Sequence, residues 1–467
     1  MTKTFVGPQL RQLRRERQQT QAEMAKVLGI SAGYVNLLEN NERSLSLRLL
    51  MALADNYGVD WRDIVADKTS NLFAELRSVI KDPMFSTAPD LIELRAAIDH
   101  APRLVAQFLY LYGVHRNALE RLMREGRSMT GDGLLATSAE AVVHDFFRDN
   151  SNYFHDLENA AEALRAIEAN EPDDIYATLK ARLLNTHGIR IKRRTTEEMT
   201  QALRVYDKEN RVVYLSEALD YSNVLFQLAH VVCLIERQDL LNKLTAGGKI
   251  KTGTSLARCH VELANYFAAA FLMPYEPFLR EAESMAYDID RLAARFGVSF
   301  EQTCHRLTTL QRPGAQGVPF FFLRVDKAGN VTKRFNSTSF HLAEYGGACP
   351  VWKVHMAFRV AGVIIPQFVE LPDGDRFFTI SRTVDRPTVN FETQDHRLAV
   401  SLGCELQHAK KLGYAAAFKL DDERIFSRIG INCHVCPRQA CSQRAHQPLF
   451  TDLPLDTSRR GKTRYES

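Results

Sequence analysis

Three cysteines stand close together near the C-terminal end of the chain, in the pattern Cys433-x2-Cys436-x4-Cys441. Thiolates are soft ligands that bind zinc ions and iron–sulfur clusters, and three of them at this spacing can reach one small inorganic centre. A fourth ligand has to come from elsewhere, and Cys404 is the nearest candidate in the sequence, with Cys349 as its rival. The spacing therefore predicts a metal site formed by Cys404, Cys433, Cys436 and Cys441.

The spacing also bears on which centre these cysteines hold. A zinc ribbon normally shows two Cys-x2-Cys pairs, and this chain has one such pair, Cys433 and Cys436. Iron–sulfur clusters accept less regular spacing between their four cysteines. We therefore expect an iron–sulfur cluster of the 4Fe-4S type, and keep zinc and redox-active free thiols as alternatives.

A second pattern, near the N-terminal end, predicts a helix-turn-helix. Thr20 and Glu23 have the spacing of a capping box, so a helix is expected over Ala22–Leu28. Gly29 supplies the turn because glycine tolerates a positive φ. Ser31 then caps a second helix, whose first residues read base edges in the major groove of double-stranded DNA when the motif binds DNA.

The second helix supplies the predicted contacts with DNA. A basic segment that precedes it, with Arg11, Arg14, Arg15 and Arg17, favours DNA binding over an unrelated helical hairpin. Gln21, Asn40 and Arg43 are placed to contact phosphates, which fixes register rather than sequence. The residues expected on or near the groove side are Ser31, Ala32, Gly33, Tyr34, Asn36 and Leu37.

The middle of the chain carries a peptidase-like pattern that lacks its catalytic residues. The segments FQLAHVVCLIE (226–236) and CHVELANYFAAAFLMP (259–274) resemble the ImmA/IrrE metallopeptidase family. A zinc peptidase of this kind needs two histidines four residues apart and a glutamate as general base. Here His230 stands alone, with Val231 at the position of the base and Leu234 at that of the second ligand. We therefore predict that the protein is not an enzyme.

Two interpretations of this region remain open. His230 can be an ordinary core histidine between closely packed helices. Alternatively, the former substrate cleft now holds a ligand, and we favour this second interpretation because a degenerate cleft tends to stay concave and apolar. The cleft residues are then expected to be Phe226, His230, Glu262 and Asn265.

The elements that position these residues suggest four domains. We expect a helix-turn-helix domain over 1–68, a helical linker or dimerisation region over 69–174, a degenerate peptidase-like α+β domain over 175–312, and a mixed C-terminal domain with the cysteine cluster over 313–467. Apolar residues at three- and four-residue spacing predict helices before residue 170, and strand-like segments such as VPFFFLRV and RFFTISRTV follow residue 317. The expected fold class is mainly α with α+β parts.

The composition argues against a membrane protein, and the net charge alone does not indicate a nucleic-acid partner. The chain has 467 residues, 45% hydrophobic, and a net charge of +4. It contains no apolar run near the ~20 residues of a membrane helix and no signal peptide pattern. We therefore expect a cytoplasmic protein without a membrane contact, in which the eight cysteines are thiols or ligands rather than disulfides.

The order of these parts resembles the short-chain fatty acyl-CoA regulator family. The segments that carry the resemblance include CPVWKVHMAF (349–358), LGCELQHA (402–409) and GINCHVCPRQACSQRA (430–445). The resemblance implies a homodimeric transcription factor for propionate- or acetate-type carbon metabolism, which binds a short-chain acyl-CoA and in some members a four-iron cluster. It leaves a metallopeptidase-like zinc regulator and a ligand-independent repressor as alternatives. Without a Gly-rich phosphate loop, the CoA phosphates are expected to contact Arg193, Arg194 and Arg359.

Overall fold

A computed structural model describes residues 7–40, 42–43, 46–57, 68–80, 82, 85, 89–125, 139–167, 174–200, 202–246, 250, 253–340, 348–386, 397–448, 453 and 458. The chain divides into two compact units, residues 1–116 and 117–467. In the described ranges, no helix is long and apolar enough to cross a membrane.

The first unit opens with four short helices, which we call the head: α1 (Gly7–Glu16), α2 (Gln21–Leu28), α3 (Ala32–Glu39) and α4 (Leu47–Tyr57). Local signals set their limits as the sequence predicts. Thr20 and Glu23 form the reciprocal hydrogen bonds of a capping box, and Gly29 ends α2 with φ at 66°. Ser31 accepts a hydrogen bond from the Tyr34 amide and so starts α3. The helices enclose one small core of apolar side chains, which includes Leu10 of α1, Val35 of α3 and Tyr57 of α4.

Three further helices belong to the rest of the first unit. They are α5 (Lys68–Ile80), α6 (Leu91–His100) and α7 (Pro102–Glu125), of which the last continues into the second unit. They share a core of Leu76, Val79, Leu94, Ile98, Val105 and Leu109. Asp90 caps α6 with a full capping box, in which the Glu93 carboxylate accepts from the Asp90 amide. Helix α5 starts at Lys68, the last residue of the predicted first domain.

The second unit continues with helices and a small sheet. The helices are α8 (Ala139–Asp149), α9 (His155–Ile167), α10 (Ile175–His187), α11 (Thr196–Met199), α12 (Tyr221–Glu236), α13 (Gln238–Thr245), α14 (Gly253–Leu272), α15 (Tyr275–Ser284), α16 (Ile289–Phe296) and α17 (Phe300–Leu307). Strands β1 (Arg190–Arg194), β2 (Arg204–Asp207) and β3 (Val212–Ser216) form a sheet in the order β1-β3-β2. Strand β1 runs parallel to β3, and β2 runs antiparallel to it.

Helices α12 and α14 form the centre of this unit. Both carry long runs of buried residues, as expected of helices that are apolar on most of their surface. The small side chains of Ala264, Ala268 and Ala269 are fully buried on α14. Small residues allow helices to approach closely, so these alanines help to place α14 against its neighbours.

A second sheet has six strands in the order β5-β4-β8-β7-β6-β9. The strands are β4 (Phe321–Val325), β5 (Val331–Asn336), β6 (Ile365–Glu370), β7 (Arg376–Asp385), β8 (Arg397–Glu405) and β9 (Phe426–Arg428). Alternate residues of a strand point to opposite faces. We call one face the helix face because Phe322, Phe378 and Leu402 pack into the same core as the helices. On the other face, here the outer face, Phe321 and Phe377 pack with Trp352 and a 3₁₀ helix, Lys353–Phe358.

A buried ion pair joins three helices of the second unit. Glu158 of α9 and Arg306 of α17 are both fully buried, and the Arg306 Nη2 donates to Glu158 Oε2 at 2.9 Å. The Tyr266 hydroxyl of α14 donates to the same carboxylate at 2.6 Å, and Arg306 Nε donates to the Met273 carbonyl at 2.9 Å. Buried charges are tolerated when they are paired and hydrogen-bonded, and this pair meets both conditions.

The fold class is confirmed. The structure is mainly helical, with a three-stranded and a six-stranded sheet in the second unit. The strand-like segments VPFFFLRV and RFFTISRTV correspond to β4 and β7.

Candidate functional site

The recognition helix α3 presents a clear division between its two sides. Val35 and Leu38 are buried in the head core. Ala32, Gly33 and Asn36 are exposed, and the side chains of Tyr34 and Leu37 are half-buried, as the order of residues along a helix dictates. The structure therefore places the expected groove-side residues on the surface of the head, with Ser31 exposed at the start of the helix.

The phosphate-contact residues are placed differently. Glu39 of α3 is 2% exposed, and its carboxylate accepts from Arg14 Nε at 2.6 Å and from Gln21 Nε2 at 2.9 Å. Arg11 Nη2 donates to Asn40 Oδ1 at 2.6 Å. Gln21 and Asn40 therefore tie α3 to α1 and α2. Arg43 is exposed and has no such role in the described residues.

Sequence reasoning missed this internal network. The sequence favours DNA binding by the basic segment before α3, but Arg14 donates a hydrogen bond to Glu39, and this hydrogen bond raises the pKa of Arg14. Burial tends to raise the pKa of the Glu39 carboxyl, yet Arg14 and Gln21 lower it overall. An acidic residue inside an otherwise uncharged recognition helix was the signal that could have revealed the network.

The second candidate site, which we call the former metal site, consists of His230, Glu262, Arg204 and Lys333. His230 lies on α12 and is 3% exposed. Its Nδ1 lies 2.6 Å from Nη1 of Arg204 on β2. A guanidinium only donates, so Nδ1 accepts. Burial and the nearby Arg204 charge lower the pKa of His230 to about 3, and the imidazole is neutral near pH 7.

Glu262 of α14 also pairs with a basic side chain. Its carboxylate pairs with Nζ of Lys333 on β5 at 3.3 Å and accepts from the Asn265 amide at 3.2 Å. Burial raises the pKa of the Glu262 carboxyl, but Lys333 and Asn265 outweigh burial and lower it to about 2. The two side chains that remain from a zinc-peptidase pattern are therefore each engaged by a basic residue.

The general base and the second zinc ligand of a peptidase are missing at this site. Val231 is buried and Leu234 is half-buried in the helical core. Among the described residues, no three His, Cys, Asp or Glu side chains are grouped closely enough to hold one metal ion. Positions 231 and 234 therefore supply neither the general base nor the second histidine ligand of the peptidase pattern.

The structure brings together only part of the predicted ligand pocket. His230 lies next to α14, with a hydrogen bond between its ring and the Val261 backbone, adjacent to Glu262. Phe226 lies one helical turn before His230 and packs against the same core. Glu262 and Asn265 are in direct contact. These four residues form one region between α12 and α14.

The three arginines expected to contact phosphates lie in two parts of the second unit, with Arg193 and Arg194 on β1 and Arg359 after the 3₁₀ helix. Arg359 follows the 3₁₀ helix on the outer face of the six-stranded sheet, whereas α12 and α14 pack on the helix face, and its contact with a phosphate stays a prediction. Arg194 stacks over the Tyr214 ring at 4.1 Å and approaches Glu198 at 3.6 Å. Arg193 is exposed on β1. The basic residues that do reach the region, Arg204 and Lys333, were not predicted.

The third candidate site is a pocket around the C-terminal cysteines, here the cysteine pocket. Four thiols line it, those of Cys349, Cys433, Cys436 and Cys441. The other lining residues are Pro350, Arg428, Gly430, Asn432, Arg438 and Arg444. The fourth thiol therefore comes from the segment before the 3₁₀ helix, on the outer face of the sheet.

The prediction of Cys404 as the fourth ligand is wrong. Cys404 lies on β8, fully buried, with its side chain in the core of the helix face beside Leu402 and Phe378. Cys349 belongs to the core of the outer face. Because the sheet separates the two, Cys404 cannot reach the cysteine pocket. Burial raises the pKa of its thiol, which is the behaviour of a core cysteine.

The residues around the cysteine pocket fit a cluster of several irons. The Gly430 amide donates to Cys349 Sγ at 3.4 Å, and a Cβ at Gly430 would lie 2.7 Å from Cys436 Sγ. A side chain there would fill the space beside the thiols. Four cysteines can ligate one four-iron cluster, and each then binds a different iron. Thiols that surround a pocket without meeting at one point suit such a cluster better than a single ion.

The second unit also supplies positive charge at this pocket. Arg438 is fixed by hydrogen bonds from Nη2 to the Glu370 carbonyl, at 2.8 Å, and from Nε to the Ile429 carbonyl, at 3.2 Å. Arg444 is buried, and its Nη1 donates to the Cys433 carbonyl at 3.4 Å. Thiolate ligands carry negative charge, and the two guanidinium groups offset it.

Comparison with known proteins covers the same three parts. The family model Helix-turn-helix matches residues 10–64, IrrE N-terminal-like domain matches 184–308, and Short-chain fatty acyl coenzyme A regulator, C-terminal matches 309–465. The chain is 38% identical to the Propionyl-CoA carboxylase regulator of Cereibacter sphaeroides, over 99% of both chains. The chain belongs to the short-chain fatty acyl-CoA regulator family.

Other members of this family are similar along their whole length. The HTH-type transcriptional regulator RamB of Mycobacterium tuberculosis is 36% identical over 98% of both chains. The HTH-type transcriptional regulator PrpR of the same organism is 34% identical over 100% of this chain and 96% of its own. A solved Mycobacterium tuberculosis transcriptional regulator, 36% identical, superposes with a TM-score of 0.67 over 71% of this chain and 100% of its own. The regulator-family protein described here therefore carries a DNA-binding helix-turn-helix.

Proposed function

We propose that this protein is a homodimeric, cytoplasmic transcriptional regulator of short-chain acyl-CoA metabolism, in which an acyl-CoA bound to the second unit changes the affinity of the head for operator DNA. The observation that carries the proposal is the former metal site. Its domain keeps the peptidase-like fold, but cations engage the remaining His230 and Glu262. A site of this kind can bind a ligand without turning it over.

The names of the relatives support the metabolic side of the proposal. One is named as a regulator of propionyl-CoA carboxylase, and two others are named as HTH-type transcriptional regulators. We extend to this chain the link with short-chain acyl-CoA that the first of these names and the family's own description carry. The size of the response is limited by the difference in ligand affinity between the two DNA-binding states.

The lack of turnover is part of the proposal. A zinc peptidase positions a base to deprotonate the metal-bound water, and Val231 cannot take that role. Among the described residues, no group of His, Cys, Asp and Glu side chains replaces the missing ligand.

The cysteine pocket is proposed to hold a 4Fe-4S cluster through Cys349, Cys433, Cys436 and Cys441. The support is the soft donor set, the space kept free by Gly430 and the neighbouring arginines. When bound, such a cluster supplies a redox-active centre. The chain itself fixes the thiols through the Gly430 amide and offsets their charge through Arg438 and Arg444. Zinc remains the alternative, to be separated by iron and sulfide analysis of anaerobically purified protein.

Binding to the DNA upstream of its own coding region tests the proposed function. Fluorescence anisotropy would measure the affinity with and without acetyl-, propionyl- and butyryl-CoA. We expect at least one acyl-CoA to change the affinity about fivefold or more. The double variant Tyr34→Ala with Asn36→Ala should bind specific DNA about tenfold or more weakly, because direct base contacts contribute about 1–3 kcal/mol each.

The matched control is Met51→Ala, which changes an exposed residue on α4 of the same head. It should leave DNA affinity unchanged. Equal DNA affinity at saturating concentrations of all three acyl-CoAs would instead support a ligand-independent repressor. Peptide cleavage by the wild-type chain in the presence of zinc would support the metallopeptidase-like alternative.

A further inference from the structure

Arg204 is a half-buried cation without an acidic partner. In the described part of the chain, its only hydrogen-bond partner is the neutral His230, and burial lowers the pKa of the Arg204 guanidinium. The fully buried Arg306 of the same unit is instead paired with Glu158. Removing a charge from water without a partner is unfavourable, so the placement of Arg204 needs a reason.

The Arg204 guanidinium still has donors to offer. A guanidinium carries several N–H groups in one plane, arranged to bind two oxygens at once. His230 takes one of them at Nη1. The other nitrogens of Arg204 are not among the fully buried polar atoms that lack a partner, so they reach space that a solvent molecule or a ligand can enter.

The charges around Arg204 leave the site positive. His230 is neutral near pH 7 because burial and Arg204 lower its pKa to about 3. Glu262 and Lys333 cancel each other at 3.3 Å. The former metal site therefore carries a net charge of about one positive unit, from Arg204, and electrostatics favours a negatively charged ligand there.

A second polar group in the same region also lacks a partner. His305 of α17 is 7% exposed, and its Nε2 has no hydrogen-bond partner among the described residues. The centroid of its ring lies 4.3 Å from that of the Phe335 ring, and the Lys333 Nζ lies 5.1 Å from the Phe335 ring centroid. Buried polar groups in folded proteins are nearly always satisfied. An unpaired nitrogen beside Lys333 points to a ligand or water that completes the site.

We propose that Arg204 binds an oxyanion, a carboxylate or a phosphate of the ligand, at the position where a zinc peptidase of this fold binds its metal. The guanidinium takes the place of the zinc ion as the electron-poor group that receives an oxygen. The identity of the ligand as an acyl-CoA rests on the proposed function. The oxyanion site itself rests on Arg204, His230 and His305.

Isothermal titration calorimetry on the full-length protein tests this assignment. The probes are inorganic pyrophosphate, CoA, propionyl-CoA and malonyl-CoA, with wild type, Arg204→Gln and the control Arg190→Gln, an exposed arginine on β1 of the same sheet. We expect Arg204→Gln to weaken binding about tenfold or more, as for lost hydrogen bonds to a charged group. Arg190→Gln should bind as wild type does.

The pattern of weakening identifies the source of the oxyanion. A loss confined to malonyl-CoA assigns its free carboxylate, and a shared loss for pyrophosphate, CoA and propionyl-CoA assigns a phosphate. Wild-type affinities in Arg204→Gln, or no binding of any probe to the wild-type protein, would overturn the oxyanion site. If the acyl-CoA still alters DNA affinity in the first case, the proposed function stands without it.

The melting temperature of ligand-free protein guards against a merely structural role. Removing an unpaired, half-buried charge should leave the Tm of Arg204→Gln unchanged or raise it. Arg204→Lys keeps the charge but not the paired donors, so its affinity should fall between wild type and Arg204→Gln. A clearly lower Tm in Arg204→Gln would show that Arg204 serves to hold His230, and would contradict the proposal.

Discussion

The former metal site and the cysteine pocket lie on opposite faces of the same six-stranded sheet, and their basic side chains contact different groups. The former metal site keeps His230 and Glu262, but Arg204 contacts the first and Lys333 pairs with the second. The cysteine pocket gathers four thiols and places Arg438 and Arg444 beside them. We propose that the first site binds an anion and the second a metal centre.

The contrast shows that the backbone of a domain does not determine which ion it binds. Helices α12 and α14 keep their peptidase-like arrangement, with Val231 where the base would be. We propose that two basic side chains, Arg204 on β2 of the small sheet and Lys333 on β5 of the six-stranded sheet, favour a negatively charged ligand at this site.

Replacement of one pocket cysteine should have the largest effect, and this effect should be confined to the cysteine pocket. We expect Cys349→Ser or Cys436→Ser to lose most of the iron of anaerobically purified protein and to lower the Tm by several degrees, because metal binding energy contributes to folding. Iron and sulfide analysis with visible absorption measures the first effect. His230→Gln should leave the iron content unchanged.

Cys404→Ser is the matched control, since Cys404 lies on the helix face of the sheet. It should retain the iron. Loss of iron from Cys404→Ser, together with full retention of iron in Cys349→Ser, would show that Cys404, and not Cys349, is the fourth ligand.

Restoration of the peptidase motif is the second test. The double variant Val231→Glu with Leu234→His completes the His-Glu-x-x-His pattern, yet we expect no stoichiometric zinc, because Arg204 and Lys333 repel a divalent cation. The variant should also be destabilised by about 3–5 kcal/mol, since position 231 is 2% exposed and the new carboxylate is buried without a partner. Zinc analysis and urea unfolding measure both effects.

Adding Arg204→Gln to the double variant should improve zinc binding relative to the double variant alone. One tightly bound zinc per chain in the double variant itself would mean that the cations do not decide the ligand. In that case the difference between the two sites would rest on the missing ligands only.

The pH dependence of stability is the third test. Burial lowers the pKa of His144 to about 4 and that of His230 and His305 to about 3, from an ordinary value of 6.5. Between pH 6.5 and these values the unfolded chain binds protons that the folded chain does not. The free energy of unfolding should therefore fall as the pH drops below 6.5, by at most about 1.4 kcal/mol per pH unit for each histidine.

Urea unfolding between pH 7.5 and 5 measures this slope. His305→Asn should reduce it, and the exposed His155→Asn should not. A Tm that rises as the pH falls from 6.5 to 5 would contradict the assignment of these histidines as neutral, buried groups.

Local features were predictable from sequence because they depend on neighbours in the chain. The capping box of Thr20 and Glu23, the turn at Gly29 and the buried Val35 each follow from spacing over a few residues. The Glu39 network was missed because its partners, such as Arg14, come from another helix. Charge alone could not tell an arginine that contacts DNA from one that ties two helices together.

The fourth cysteine shows the same limit at longer range. Cys404 is nearer to the group in sequence, but Cys349 is nearer in space because both it and Gly430 lie on the outer face of the sheet. Which face a residue occupies depends on strand register. The roles of Arg204 and Lys333 could not be predicted from the sequence either, because each contacts a residue of another element, His230 on α12 and Glu262 on α14.

The Glu158–Arg306 pair carries a consequence for how relatives of this protein can diverge. Replacing only one of the two residues by a neutral one would leave the other charge unpaired in the core. The Tyr266 hydroxyl would also lose its acceptor if Glu158 were replaced. Lineages should therefore inherit this trio as a block or replace it wholesale with apolar side chains. Homologues that have drifted at one member and kept the other two should be rare.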